Sequence, residues 1–184
     1  LPRRERVRVR GIQSHDTAAE EAHRGQRAAL NLANVRQEDI RRGQELATPG
    51  YLVPSRVVTV RLHCLHDQKR PIRHRQPVRV HLGTAEVMGQ VSLLDCDGIE
   101  PGKWGLAQLF VEEEIVSTWG QPFVLRESSA TQTIGGGQVL QAAARKLRRR
   151  HIESLERVER LWTGDPAKRI LLVAWFGLFG GVHL

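Results

Sequence analysis

"TIGGGQVL", residues 133–140, decides the fold, because it admits two incompatible structures. As a glycine-rich phosphate loop it would join a strand to a helix in an α/β protein. As a strand it would belong to a β-sheet in which a neighbouring backbone comes unusually close. A loop of the G-x-x-x-x-G-K-[ST] type needs a lysine that reaches the terminal phosphates and a hydroxyl that holds magnesium. Here Gln138 and Val139 follow the glycines, and the nearest lysine is Lys146. A dinucleotide fingerprint needs a βαβ unit, and the run sits inside a series of strands instead. Gly135–Gly137 therefore read as strand residues that let the chain bend or let another backbone approach.

Upstream, strand signals recur at short spacing: "RVVTVRLHC" (56–64), "PVRVHLG" (77–83), "EVMGQVSLL" (86–94), "LAQLFVEE" (106–113) and "PFVLRE" (122–127). Turn residues separate them at Asp97-Gly98, Pro101-Gly102 and Gly120–Pro122. About six short strands without helices between them predict a mainly β fold, a closed antiparallel barrel or sandwich over 56–141. Residues 1–49 read as a second β module. In "RERVRVRGI", Val7 and Val9 alternate with Arg6, Arg8 and Arg10, the pattern of a half-buried strand with a basic outer face. Ala28, Leu30 and Leu32 form one face of a following strand, and "VRQEDIRRGQELATPG" reads as a helical turn stopped by Gly43. From about residue 142 the period changes. Ile152, Leu155, Val158 and Trp162 fall at helical spacing, Gly164 suits a helix end, and Asp165-Pro166 suits a new N-cap with proline at the first helical position.

The 184 residues carry 28 Lys+Arg against 20 Asp+Glu, a formal charge of +8. That balance favours polyanionic partners, nucleic acid before membrane. Two cysteines, Cys64 and Cys96, are too few for a disulfide framework and fit a reducing cytosol, hence a cytoplasmic protein. No signal peptide is visible. The apolar run "ILLVAWFGLFGGVHL" (170–184) is too short and glycine-broken to span a bilayer and predicts a buried helix. The chain starts at Leu1, its only methionine is Met88, and it stops just after its most apolar segment. A piece of a longer polypeptide, cut at both ends, is the expectation.

Most candidate sites dissolve on inspection. "HCLH" suggests zinc, but His63 and Cys64 point to opposite faces of a strand, with Cys64 joining Val58, Val60 and Leu62 in the core. No second Cys/His pair completes a ligand set. Glu112–Glu114 has no partner acid and reads as a solvated strand end. No G-x-S-x-G elbow or Ser/His/Asp set is present, so no catalytic residue is assigned. The basic stretches are more informative. "QKRPIRHR" gathers Lys69, Arg70, Arg73 and Arg75 in one loop, and "RKLRRRH" adds Arg145, Lys146, Arg148, Arg149 and Arg150. Such loops suit phosphate contacts along a nucleic-acid backbone.

At these residues a resemblance enters. "RVRVRGIQSHD…RGQRAALNL…QEDIRRGQELATPG" resembles the second half of the barrel that follows the GTPase domain in elongation-factor-Tu-like translation factors. "RVVTVRLHC…RPIRHRQPVRVHLGTAEVMGQVSLL" and "GQPFVLRESSATQTIGGGQVL" resemble that family's next barrel, start to finish. Within the superfamily, the short Gln13–Ala28 connection, "VHLGTAEVMGQVSLLD" and the direct continuation into a charged helix are similar to the bacterial selenocysteine-specific elongation factors. The resemblance implies three parts: 1–49 as the C-terminal part of the second-domain barrel, 56–141 as the third-domain barrel, and 142–184 as the start of a winged-helix domain. It implies delivery of selenocysteinyl-tRNA to the ribosome, with the messenger hairpin read by winged-helix domains beyond this chain and no membrane involved. Arg27, the arginine of the "GQR" segment, would line the amino-acid pocket. Lys69, Arg70, Arg73, Arg126, Thr133 and the backbone of Gly135, Gly136 and Gly137 would hold the tRNA. No cofactor is expected in this chain; GTP and magnesium would belong to a GTPase domain outside it. An incomplete first barrel would leave 1–49 poorly stable alone. The competing readings are a piece of another translational GTPase with general aminoacyl-tRNA affinity, and a protein-interaction barrel.

Overall fold

The computed structural model describes residues 1–23 and 25–179. Its centre is a closed six-stranded antiparallel barrel. The strands are β4 (Ser55–Cys64), β6 (Pro77–Leu82), β7 (Ala85–Leu93), β9 (Trp104–Ile115), β10 (Pro122–Glu127) and β11 (Thr133–Gln141), in the order β10-β11-β4-β9-β7-β6. All six segments expected as strands are strands. Closure pairs every strand on both sides, so no backbone edge is left to solvent within the barrel. Alternation supplies the core: Val58, Val60, Leu62 and Cys64 of β4 meet Val78, Val80 and Leu82 of β6, Leu109 of β9 and Leu125 of β10, all essentially inaccessible. Each such side chain contributes about 1.5–3 kcal/mol of transfer free energy. Two short strands, β5 (Ile72–Arg73) and β8 (Gly98–Ile99), pair to cap one end, with Ile72 and Ile99 buried against the barrel core.

The glycine run lies inside β11, hydrogen-bonded to β10 on one side and β4 on the other. None of the three glycines has a positive φ, so it is space that excludes a side chain here. A Cβ on Gly135 would sit 2.5 Å from the His63 carbonyl oxygen, one on Gly136 2.7 Å from that of Phe123, and one on Gly137 would overlap the Arg61 carbonyl outright.

The N-terminal region departs from expectation. It forms a three-stranded sheet, β2-β1-β3, of β1 (Val9–Ser14), β2 (Thr17–Ala19) and β3 (Ala29–Leu32). Val7 lies outside β1, and Val9 and Leu30 are exposed, because among the described residues no opposing layer covers their face of so small a sheet. The helical turn expected after it shrinks to one 3₁₀ turn, Gln37–Asp39. Gly43 keeps a φ of +94° as it passes Ala85 of the barrel, and its N–H donates to Thr84 Oγ1 at 3.2 Å.

The helix expected from about residue 142 begins ten residues later, as α1 (Ile152–Thr163). Tertiary hydrogen bonds override the helical tendency of "AAARKLRRRH" by drawing its backbone onto the barrel wall. The Ala144 N–H donates to the Val57 carbonyl at 2.9 Å, and that of Arg150 to the Leu94 carbonyl at 2.9 Å. Between them the fully buried Gln108 accepts from the Leu147 N–H at 2.9 Å, while its amide nitrogen donates to the Arg145 carbonyl at 2.8 Å and to Thr59 Oγ1 at 3.1 Å. Gly164 ends α1, its N–H donating to the Arg160 carbonyl at 2.9 Å. Asp165 Oδ1 then accepts from the Lys168 N–H at 3.0 Å, capping α2 (Pro166–Phe179) with proline at its first position.

Barrel and helices share a second core of Leu94, Leu140, Leu147, Val158, Leu161 and Phe176. The buried-helix expectation for 170–184 is corrected where it can be seen: Phe176 is covered, but Ile170 and Leu171 are 70% and 71% exposed. One stripe of α2 packs on α1 and nothing described covers the other. Residues 180–184 of that run lie outside the described residues. Among the described residues no helix is long and apolar enough to cross a membrane.

Candidate nucleic-acid interface

The segment 65–76, expected as one loop, contains β5 and is held against the start of β11. The Leu65 N–H donates to the Ile134 carbonyl at 3.1 Å, and Gln68 Nε2 to the Thr133 carbonyl at 3.0 Å. These bonds bring Lys69, Arg70 and Arg73, all exposed, beside Thr133. Arg75 turns the loop back with φ +63°, and its N–H donates to the Val91 carbonyl at 2.7 Å. A cleft of about 390 Å³ opens there, lined by Arg70, Arg73, Arg75, Gln76, Glu127 and Ile134.

Strand register extends this basic end across the barrel wall. Arg126 of β10 stands opposite Thr133 of β11 on one side and Arg79 of β6 on the other. One row along, His81, Val124, Gly136 and His63 stand in line. All face outward, because their strand neighbours fill the core. Gly136 makes this face shallow at its middle. The backbone polar groups of Gly135, Gly136 and Gly137 are committed to the two ladders, so the expected backbone contact narrows to surface left open at Gly136. Arg79 donates to Glu86 Oε1 at 2.7 Å and to the Ser128 carbonyl at 3.2 Å. That hydrogen bond, ahead of the charges of His81 and Arg79, holds the Glu86 carboxyl below its usual range. Arg79 Nε, His81 Nε2 and Arg126 Nε are shielded from solvent and make no hydrogen bond. Arg79 and His81 were not singled out from sequence. The signal is present in "PVRVHL", where Val78, Val80 and Leu82 turn inward and leave the other two outside.

Arg27, expected in an amino-acid pocket and not on this face, and the second basic stretch are placed separately. Arg27 lies in the connection between β2 and β3, exposed, its carbonyl accepting from Ser14 Oγ at 3.3 Å. Of the second basic stretch, Arg149 donates to the carbonyls of Leu93 at 2.8 Å and Cys96 at 2.7 Å and pairs with Asp97 at 2.7 Å. Arg150 pairs with the same carboxylate. These two arginines fasten the connection to the barrel, Arg149 from a half-buried and Arg150 from an exposed position, and Arg145, Lys146 and Arg148 are exposed as well. The Arg149 and Arg150 partners hold the Asp97 carboxyl below its ordinary pKa. Cys64 and His63 do point to opposite faces, and among the described residues no group of three His, Cys, Asp or Glu could hold a metal. Burial, reinforced by Asp95, pushes the Cys96 thiol up to about 11, so it is protonated at neutral pH.

His74 ties the basic loop to the helical connection. Its Nδ1 accepts the Leu93 N–H at 3.1 Å, while the Leu93 carbonyl accepts from Arg149. Burial, then the charges of Arg149 and Arg75, lower its pKa below 6.5. The neutral ring is the one that can accept, so its contribution to stability is complete above 6.5 and lost as pH falls through the lowered value. The thermal midpoint should therefore fall between about pH 7 and about pH 5.5, before the carboxylates titrate. His74→Gln, which keeps an acceptor and cannot titrate, should flatten that window; an unchanged slope would remove His74 as its cause.

The β-barrel domain model of the selenocysteine-specific elongation factors matches residues 59–146. A selenocysteine-specific elongation factor of Desulfomicrobium baculatum is 35% identical over 180 residues, 98% of this chain and 28% of that protein. One from Haemophilus influenzae is 25% identical over 147 residues, 79% of this chain and 23% of its own length. Elongation factor Tu 2 of Streptomyces avermitilis is 29% identical over 135 residues, 71% of this chain and 34% of its own length. The chain thus spans about a third or less of each of these relatives.

Proposed function

This chain carries the β-barrel portion of a selenocysteine-specific elongation factor, and on that premise we propose that the barrel grips selenocysteinyl-tRNA on its way to the ribosome. The observation that carries the reading is the cleft at the barrel end lined by Arg70, Arg73 and Arg75 with Ile134, continued on the wall by the register row Thr133, Arg126 and Arg79 beside the shallow strand at Gly136. Cations on a rigid wall at a flat floor fit a double-stranded backbone, which is held by charge rather than by base sequence. The acceptor and T-stem side of the tRNA is the part that presents such a backbone. Residues 1–49 belong to the preceding barrel, 56–141 form the tRNA-holding barrel, and 142–184 open a winged-helix domain. Arg27 serves the amino-acid pocket. A selenol is largely ionised at neutral pH, and a permanently charged guanidinium favours the anion. GTP and magnesium act in a GTPase domain outside these residues, and further winged-helix domains engage the messenger hairpin. The setting is cytoplasmic.

The test is a titration of the full-length factor with selenocysteinyl-tRNA and with an ordinary elongator tRNA at two salt concentrations. Arg126→Ala with Arg70→Ala should weaken selenocysteinyl-tRNA binding and lower the salt slope by about one for each phosphate no longer neutralised. Arg27→Ala should instead reduce discrimination between selenocysteine and serine on the same tRNA. Equal, weak binding of both tRNAs would favour a general aminoacyl-tRNA carrier. An unchanged salt slope would remove the face from the tRNA site.

A further inference from the structure

On the barrel wall beside this face the charge reverses. The Arg61 guanidinium of β4 lies 4.2 Å from the Trp104 ring of β9 and 4.8 Å from the Trp162 ring of α1, stacked between the two. Next to it, where α1 crosses the barrel, is a groove of about 450 Å³. Its apolar surface comes from Trp104, Leu106, Ile152 and Leu155, with Trp104 48% and Ile152 72% exposed. Its rim carries Asp95, Glu156 and Glu159. Asp95 commits one oxygen to the Leu106 N–H at 3.0 Å, Glu156 has only a loose exposed pair with Arg160 at 4.0 Å, and Glu159 enters no ion pair among the described residues. On a chain of net charge +8 this groove has three carboxylates and one cation, and that cation is already stacked.

A nucleic acid would be repelled by this rim. A cationic chain would meet carboxylates for its charges and apolar wall for its aliphatic stems. Indole faces accept guanidinium, as they do that of Arg61. We infer that the groove docks a basic protein segment in which arginine alternates with aliphatic residues. The inference stands apart from the tRNA reading, since the groove shares no residue with that face.

The experiment titrates the full-length factor with a short fluorescent peptide alternating arginine and leucine, and with its glutamate–leucine counterpart. The arginine peptide should bind and the glutamate peptide should not. Glu156→Lys with Glu159→Lys should weaken binding about tenfold or more, as reversed rim charges do. Both positions are exposed on α1, so the fold should survive, and Glu156→Gln with Glu159→Gln should give a smaller loss in the same direction. Affinity unchanged in both pairs overturns the inference. So does affinity lost instead on Glu112→Lys with Glu113→Lys, the exposed acidic pair of β9. A single-stranded RNA whose binding is weakened by Ile152→Asp would also overturn it, by making the groove an RNA surface.

Discussion

Gly137→Ala should lower the stability of the barrel by about 3 kcal/mol, the upper end for forcing extra volume into a packed site. For a chain of this size that corresponds to a fall of about 6–12 °C in thermal midpoint. The added methyl meets not a flexible side chain but the Arg61 carbonyl of β4, itself part of the ladder that closes the barrel. Relief requires β11 to move off β4, which weakens pairing along both. Gly11→Ala is the internal control. Nothing lies within 4 Å of a Cβ there and its φ is ordinary, so the change should stay within about 0.5 kcal/mol. Thermal unfolding of both variants decides the matter, and equal midpoints would mean that the strands do not approach so closely.

Gln108→Leu carries the second large effect. The substitution leaves the Leu147 N–H and the Arg145 carbonyl without their partner and removes the Thr59 bond. At about 1–3 kcal/mol for each buried group left unsatisfied, a loss of about 3 kcal/mol is expected. Thr59→Val should cost less, since it strands only side-chain groups, the amide of Gln108 and Gln141 Oε1. The larger variant should also loosen the helices, because Leu147 sits in the core they share with Leu94 and Leu140. Urea unfolding measures the first effect, and the near-ultraviolet circular dichroism of Trp119 and Trp162 reads the second. Trp119 reports well because its Nε1 donates to the Leu161 carbonyl at 3.3 Å and Arg169 stacks on its ring at 4.2 Å. A destabilisation no greater than that of Thr59→Val would show that the connection is held by Leu147 packing alone.

Legibility followed the number of neighbours each segment has. Within the barrel every strand is paired twice and buries one face, so alternation alone places Val58, Val60, Leu62 and Cys64 inside and Arg61 and His63 outside. The place of the Lys69–Arg75 segment between two barrel strands was legible for the same reason, but the short strand Ile72–Arg73 within it was not, because its partner Gly98–Ile99 is distant in sequence. In the small sheet the same alternation misled at Val7 and Val9, because among the described residues no second layer buries the predicted face.

Local pattern sufficed for the six barrel strands, the turns at Pro101-Gly102 and Gly120, the caps at Gly164 and Asp165, and the exclusion of a phosphate loop at Gly135–Gly137, but not for Gly98, expected in a turn and found in β8. Those outcomes depend on local period, backbone freedom and the presence or absence of single residues. Only the tertiary structure decided that Arg79, Arg126 and Thr133 share one row, since register between distant strands is set by closure of the whole barrel. It also decided that Arg149 reaches two backbone carbonyls and Asp97, that Arg150 pairs with the same carboxylate, and that residues 142–151 are held on the barrel wall instead of forming a helix. A run of charge or of helix formers carries no record of which distant carbonyl, N–H or carboxylate will meet it, and that meeting is what fixes its conformation.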